Sequence, residues 1–130
     1  MTALQELIAR LEKATEGSRE LDAEIAVVSG EFLHGKVSKT RPWLVTQAGI
    51  NREPPRYSAS IDAALTLVPE DFQWLVRDDE RGGFCNVTSP DFVAIEGSNG
   101  QDESIGKRFP TYAATPALAL CIAALRARAA

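Results

Sequence analysis

The sequence holds one histidine, His34, one methionine and two cysteines, Cys85 and Cys121, among 130 residues. A single imidazole gives little to a metal centre or to Ser/His/Asp or Cys/His catalysis, because each needs further ligands or an orienting partner. The two cysteines lie far apart, in no CxxC or Cys/His spacing, each inside an apolar stretch. They read as small core residues in a reducing compartment, not as a disulfide or a reactive thiol. No apolar run approaches the roughly 18–20 residues of a bilayer crossing. Residues 1–15 mix charges with apolar positions, so no secretory signal is expected there. There is no GxxxxGK[ST] and no GxGxxG after a strand, the two commonest phosphate cradles. Basic residues are also in the minority, 14 against 18 acids for a net charge of −4. A general nucleic-acid binder draws its affinity from neutralised phosphates and is normally basic, so that class is excluded.

What is present fits one globular domain over residues 1–130. Hydrophobic residues make up 45% and charged residues 25%, which excludes wholesale disorder. A chain this long buries roughly two-thirds of its unfolded surface and needs no metal or disulfide staple. Leu4, Leu7, Ile8 and Leu11 recur at helical spacing behind a Thr2/Gln5 capping box, and Gly17 is the expected stop. Ser18 caps a second helix with the stripe Leu21, Ile25 and Val28, ending near Gly30. Ser58 or Ser60 starts a brief third helix, with Ile61, Ala64, Leu65 and Val68 inward and Pro69 closing it. Thr115-Pro116 opens the clearest helix of the chain, because proline suits the first helical position. Its apolar stripe, Leu118, Ile122 and Leu125 widened by Leu120, Cys121 and Ala124, predicts burial against a sheet.

Between these helices, residues 72–77 alternate at the strand period, placing Trp74 in the core. Residues 84–88 and 92–96 follow as two more strands across short links, which predicts an antiparallel meander. Residues 97–106 read as a mobile polar loop, and Tyr112 to Ala114 as an addition to the sheet. Residues 31–56 are broken by Gly35, Pro42, Gly49 and Pro54-Pro55, with Trp43 to Val45 as a short strand. So long an irregular stretch is uncommon in a compact domain and often functional. The class is therefore α+β, with helices expected on both faces of a small antiparallel sheet of three to four strands.

Candidate chemistry concentrates in that irregular stretch. Lys36, Lys39 and Arg41 form the densest basic run outside the C-terminus, and Trp43 and Tyr57 flank arginines 41, 52 and 56. Arginine with Trp or Tyr can grip a phosphate and stack on a base. Arg41, Trp43, Arg52, Arg56 and Tyr57 are thus the expected ligand-binding set, against the plainer reading of solvated charge and sheet packing. No catalytic residue, metal ligand or cofactor site is assigned.

Three stretches resemble a known family. Tyr57-Ser-Ala-Ser-Ile-Asp-Ala-Ala-Leu-Thr-Leu-Val-Pro-Glu70, followed by Trp74, is similar to the central motif of the phage ABA-sandwich proteins, and Ala114-Thr-Pro-Ala-Leu-Ala-Leu-Cys-Ile-Ala-Ala-Leu-Arg126 to their C-terminal helix. Leu21-Asp-Ala-Glu-Ile-Ala resembles their second helix, and small phage proteins of the NinX type share the layout. Residues 31–56 and 97–109 lie outside the resemblance. It implies a three-layer α/β/α sandwich, encoded by a bacteriophage or prophage and acting in the host bacterium's cytoplasm. It implies no reaction, cofactor or catalytic residue.

The expectation is a non-enzymatic phage accessory protein that binds a small anionic, nucleotide-like ligand or a host protein, in the service of countering host defence. Two alternatives belong to other classes. One is a self-assembling module in which the alanine-rich C-terminal helix packs on its copy, giving a homo-oligomer. The other is a small hydrolase using His34 with a nearby acid.

Overall fold

The computed structural model describes residues 2–29, 32–36, 43–46, 51–52, 54–80, 82–96 and 102–129. Helix α1 (Ala3–Lys13) begins with the capping box: Thr2 Oγ1 accepts from Gln5 N–H at 3.2 Å, and Gln5 Oε1 accepts from Thr2 N–H at 3.0 Å. It stops at Ala14 in extended backbone, three residues before the expected glycine. Gly17 is needed for a close approach instead. A Cβ there would lie 2.3 Å from the Ser58 carbonyl oxygen, so two backbones cross where only glycine fits. Ser18 then caps α2 (Arg19–Val28), accepting from Leu21 N–H.

Residues 31–56, irregular in the sequence reading, hold three short antiparallel strands in the order β1 (Phe32–Lys36), β2 (Trp43–Thr46), β3 (Asn51–Arg52). Helix α3 (Ile61–Leu65) starts at the Ser60 cap as expected. A second antiparallel sheet follows, with β5 (Gly82–Thr88) at its centre between β4 (Gln73–Asp79) and β8 (Arg108–Ala113). The expected meander fails at its third member. β6 (Val93–Glu96) pairs with β7 (Asp102–Ile105), and β8 takes the place beside β5. The cause is a clasp at the base of that excursion. Ser89 N–H donates to the Lys107 carbonyl at 2.9 Å, and Lys107 N–H to Ser89 Oγ at 2.9 Å, so the chain leaves β5 and returns at one point. The second arm of this hairpin lies within the stretch expected to be a loop, of which residues 97–101 fall outside the described residues.

Helix α4 (Pro116–Ala129) organises the core. Thr115 caps it, accepting from Leu118 N–H at 3.2 Å. Residues 117–125 are all buried, including Leu118, Leu120 and Ile122 on different sides of the helix. A helix apolar all round is stable only when covered all round. Here β5, β8, α1 and α3 all pack against it. The domain is α+β, with a three-stranded antiparallel sheet and helices packed on it. Among the described elements α4 touches the sheet and also α1 and α3, and α1 reaches β8 as well. The sheet face turned away from α4 carries Leu75, Phe84 and Tyr112, with Leu75 52% and Tyr112 49% exposed. Trp74 does point to the α4 side but is 50% exposed, not core, because β4 is an edge strand and α4 is centred on β5. Burial of α4 within one chain also leaves it no side for packing on a copy, which removes that route to self-assembly.

Candidate functional site

Four of the five residues expected at a ligand lie among the described residues. Arg41 lies outside the described residues, as does Lys39. Register pairs Trp43 with Lys36 and Leu44 with Arg52, so Trp43 and Arg52 occupy neighbouring rows of one small sheet. His34 stands on β1 opposite Val45. Arg56 is exposed. Tyr57 is wholly buried in the core cluster, and its carbonyl oxygen accepts a hydrogen bond from Cys121 Sγ at 3.0 Å. That placement gives the Tyr57 ring to packing against the helices, where no solute reaches it.

The segment carrying Arg56 and Tyr57 is tied down by a polar cluster at the start of α2. Asp22, 1% exposed, accepts from Ser58 N–H at 2.7 Å, from Ser58 Oγ at 2.5 Å and from Arg19 Nη1 at 2.7 Å. Ser58 Oγ in turn accepts from Ser18 N–H at 3.0 Å, and Arg19 Nη2 donates to the Pro54 carbonyl at 2.6 Å. A buried carboxylate is tolerated only when its lone pairs are met by donors and its charge by a cation, and both conditions hold here. The sequence showed Asp22 only as one of several acids in the second helix. Its role is set by a serine 36 residues on, a separation no local spacing rule can see.

A concave site opens elsewhere, at the clasp below β8. Phe72, Phe109 and Ala127 form its apolar wall, and Ser89, Asp91, Gly106 and Lys107 its rim, around about 320 Å³. That is at the small end of ligand cavities. Its rim is fixed in place. Ser89 Oγ donates to Asp91 Oδ1 at 2.6 Å, and Gly106 holds φ +81° where a Cβ would sit 2.6 Å from Ser89 Oγ. Only glycine combines that positive φ with that approach. Beside the rim, the Arg108 guanidinium lies 4.9 Å from the Phe92 ring centre. In sequence this stretch reads as a polar loop up to residue 106, and nothing local marks Lys107 or Phe109. The signal was the pair Ser89-Pro90-Asp91 and Gly106-Lys107, whose meeting depends on the intervening hairpin.

Cys85 is buried, and loss of solvation pushes its thiol up to about 12. Cys121 is raised further, first by burial and then by the charge of Asp22 and by Cys85. A thiol so held is a packing group, since the nucleophile is the thiolate. Among the described residues, no three of His, Cys, Asp and Glu come together as a metal site would require. Among them too, no helix is long and apolar enough to cross a membrane. Comparison of the chain with protein-family models, with curated proteins and with solved structures finds no match.

Proposed function

We propose that this chain is a non-enzymatic binding protein that holds a small anionic, nucleotide-like ligand in the cavity beside the clasp. The observation that carries the reading is the meeting of Phe72 and Phe109 with Lys107 in the lining of one cavity, which Asp91 shares. A flat ring fits the wall, and an anionic tail fits Lys107. The resemblance of residues 57–70 and 114–126 to phage ABA-sandwich proteins supports a phage or prophage accessory protein, working in the host cytoplasm against host defence. In that setting the ligand is a host nucleotide signal, and holding it is the function. The test is thermal unfolding with AMP, cyclic AMP and inorganic phosphate in turn. A ligand at a hundred times its Kd adds about 2.7 kcal/mol and raises the Tm by several degrees. Lys107→Glu, a surface change, should abolish the rise. No shift with any nucleotide removes the small-ligand reading.

A second reading, a host protein as partner, has its own observation in the open sheet face. Phe84 and Tyr112 meet there in a tilted ring contact, 4.7 Å between centres, with the Arg77 guanidinium 4.7 Å from the Phe84 ring. Aromatic and arginine side chains with apolar neighbours are what interface centres are built from. Tyr112→Glu should abolish binding of such a partner while leaving nucleotide binding intact.

A further inference from the structure

We infer that β4 is a self-pairing edge, through which two copies of this chain join their sheets into one of six strands. The inference is independent of the cavity and rests on how the two edges of the β4-β5-β8 sheet differ. β8 carries Pro110, which has no N–H to offer a further strand, and it pairs inward with Asn86 of β5. β4 has seven residues, no proline and no lysine, and among the described residues a strand, β5, lies on one side of it only. Its side chains are half-exposed on both faces at once. Trp74, 50% exposed, lies on the α4 side and Leu75, 52% exposed, on the opposite side. A partner docked on one face covers one of them. A strand laid beside β4 covers both, because an added strand extends both faces of the sheet.

The charge pattern of β4 selects the occupant. Its acids, Asp78 and Asp79, sit at one end and Gln73 and Trp74 at the other. Parallel pairing would set each aspartate beside its own copy, which is destabilising. Antiparallel pairing centred on Val76 uses all seven residues. It sets Asp79 opposite Gln73, Asp78 opposite Trp74 and Arg77 opposite Leu75, with no like charges directly across. Centring on Asp78 instead would oppose Asp78 to itself. The favoured arrangement is two-fold, so each chain's sticky edge is consumed by its copy. The outer edges of the joined sheet are then the two proline-bearing β8 strands, and growth stops at the dimer. One strand edge with two flanking side chains is a small interface, so a Kd of about micromolar is expected.

Analytical ultracentrifugation of the full chain over a concentration series is the test, with expected masses of 14.1 kDa when dilute and twice that when concentrated. Leu75→Lys, at a half-exposed position that leaves the monomer's circular dichroism unchanged, should weaken the dimer at least about tenfold. Gln73→Lys should tighten it several-fold at low salt by placing an ammonium group opposite the partner's Asp79, an effect lost in 1 M salt. A single-chain mass at every concentration up to millimolar overturns the inference. So does a dimer that ignores both substitutions, since its contact must then lie elsewhere.

Discussion

Replacing Asp22 should cost more stability than any other single polar change in the described structure, and the size follows from who loses a partner. In Asp22→Ala, Ser58 N–H is left without an acceptor in a site closed to water. An unsatisfied buried donor costs about 1–3 kcal/mol. The Ser58 hydroxyl is spared, because it can turn to the Ser18 carbonyl 3.0 Å away. Arg19 loses its carboxylate but keeps the Pro54 carbonyl and some solvent, so its share is about 1 kcal/mol. The sum is about 3 kcal/mol, which for a chain of this length lowers the Tm by roughly 10 °C. Ser58→Ala should cost about 2 kcal/mol, through its bond to the carboxylate and the Ser18 N–H it leaves unpaired. The two changes share the Oγ–Oδ1 bond, so the double variant should cost less than their sum by about 1.5 kcal/mol or more. Urea unfolding of the four proteins at pH 7 measures each quantity, with an unchanged m-value as the check that the same surface unfolds. A loss below 1 kcal/mol for Asp22→Ala, or additivity of the pair, would refute the claim that this cluster fastens residues 54–60 to α2.

Asn86 Oδ1 is buried without a hydrogen-bond partner, in a row with Leu75 and Pro110. Asn86→Val should therefore stabilise the fold by about 1 kcal/mol, read as a rise in the urea midpoint, since an orphan acceptor is removed and strand propensity improves. Gly83→Ala should destabilise by about 3 kcal/mol, because the new Cβ would lie 2.2 Å from the Pro116 backbone nitrogen, where β5 passes the start of α4. Cys85 and Cys121 favour the neutral thiol more strongly in the folded chain than in the unfolded one. The unfolded state therefore binds fewer protons above about pH 9, and stability should fall as pH rises from there through about 12. A Cys85→Ala, Cys121→Ala variant should show a shallower fall over that window. An unchanged slope would contradict the assignment.

What the sequence made legible was the helix starts and the strand alternation, which neighbours along the chain govern. The Thr2, Ser18, Ser60 and Thr115 caps lie where the spacing of serine and threonine before apolar periods places them, because a cap answers to N–H groups two or three residues away. The alternation through β4 and β5 was equally local. The misreadings arose where a distant segment decides. Trp74 reads as core by period alone, yet a strand's period says which face a residue takes and not whether that face is covered at the edge. Residues 92–96 read as the next strand of a meander, because nothing local reveals the backbone bond between Ser89 and Lys107 that excludes them from the sheet.

The candidate site was the least legible part for the same reason. Aromatic and arginine residues clustered in sequence suggested a ligand at 41–57, but Tyr57 is turned inward by its place between α2 and α4, with Cys121 bonded to its carbonyl. The cavity instead assembles Phe72, Asp91, Lys107 and Ala127 from four separate parts of the chain. Their joint presence depends on the Ser89–Lys107 clasp, so loosening the clasp should empty the site of function while sparing the core. Gly106→Ala is the sharpest such change, because it forces a Cβ against Ser89 Oγ at a positive φ. The expected result is a loss of about 2 kcal/mol in stability with loss of any nucleotide-dependent Tm shift. The urea m-value and the core signals of α4 should stay as they were, since the buried residues 117–125 of α4 are not among those lining the cavity. Retention of the ligand shift in Gly106→Ala would mean that the clasp does not shape the site.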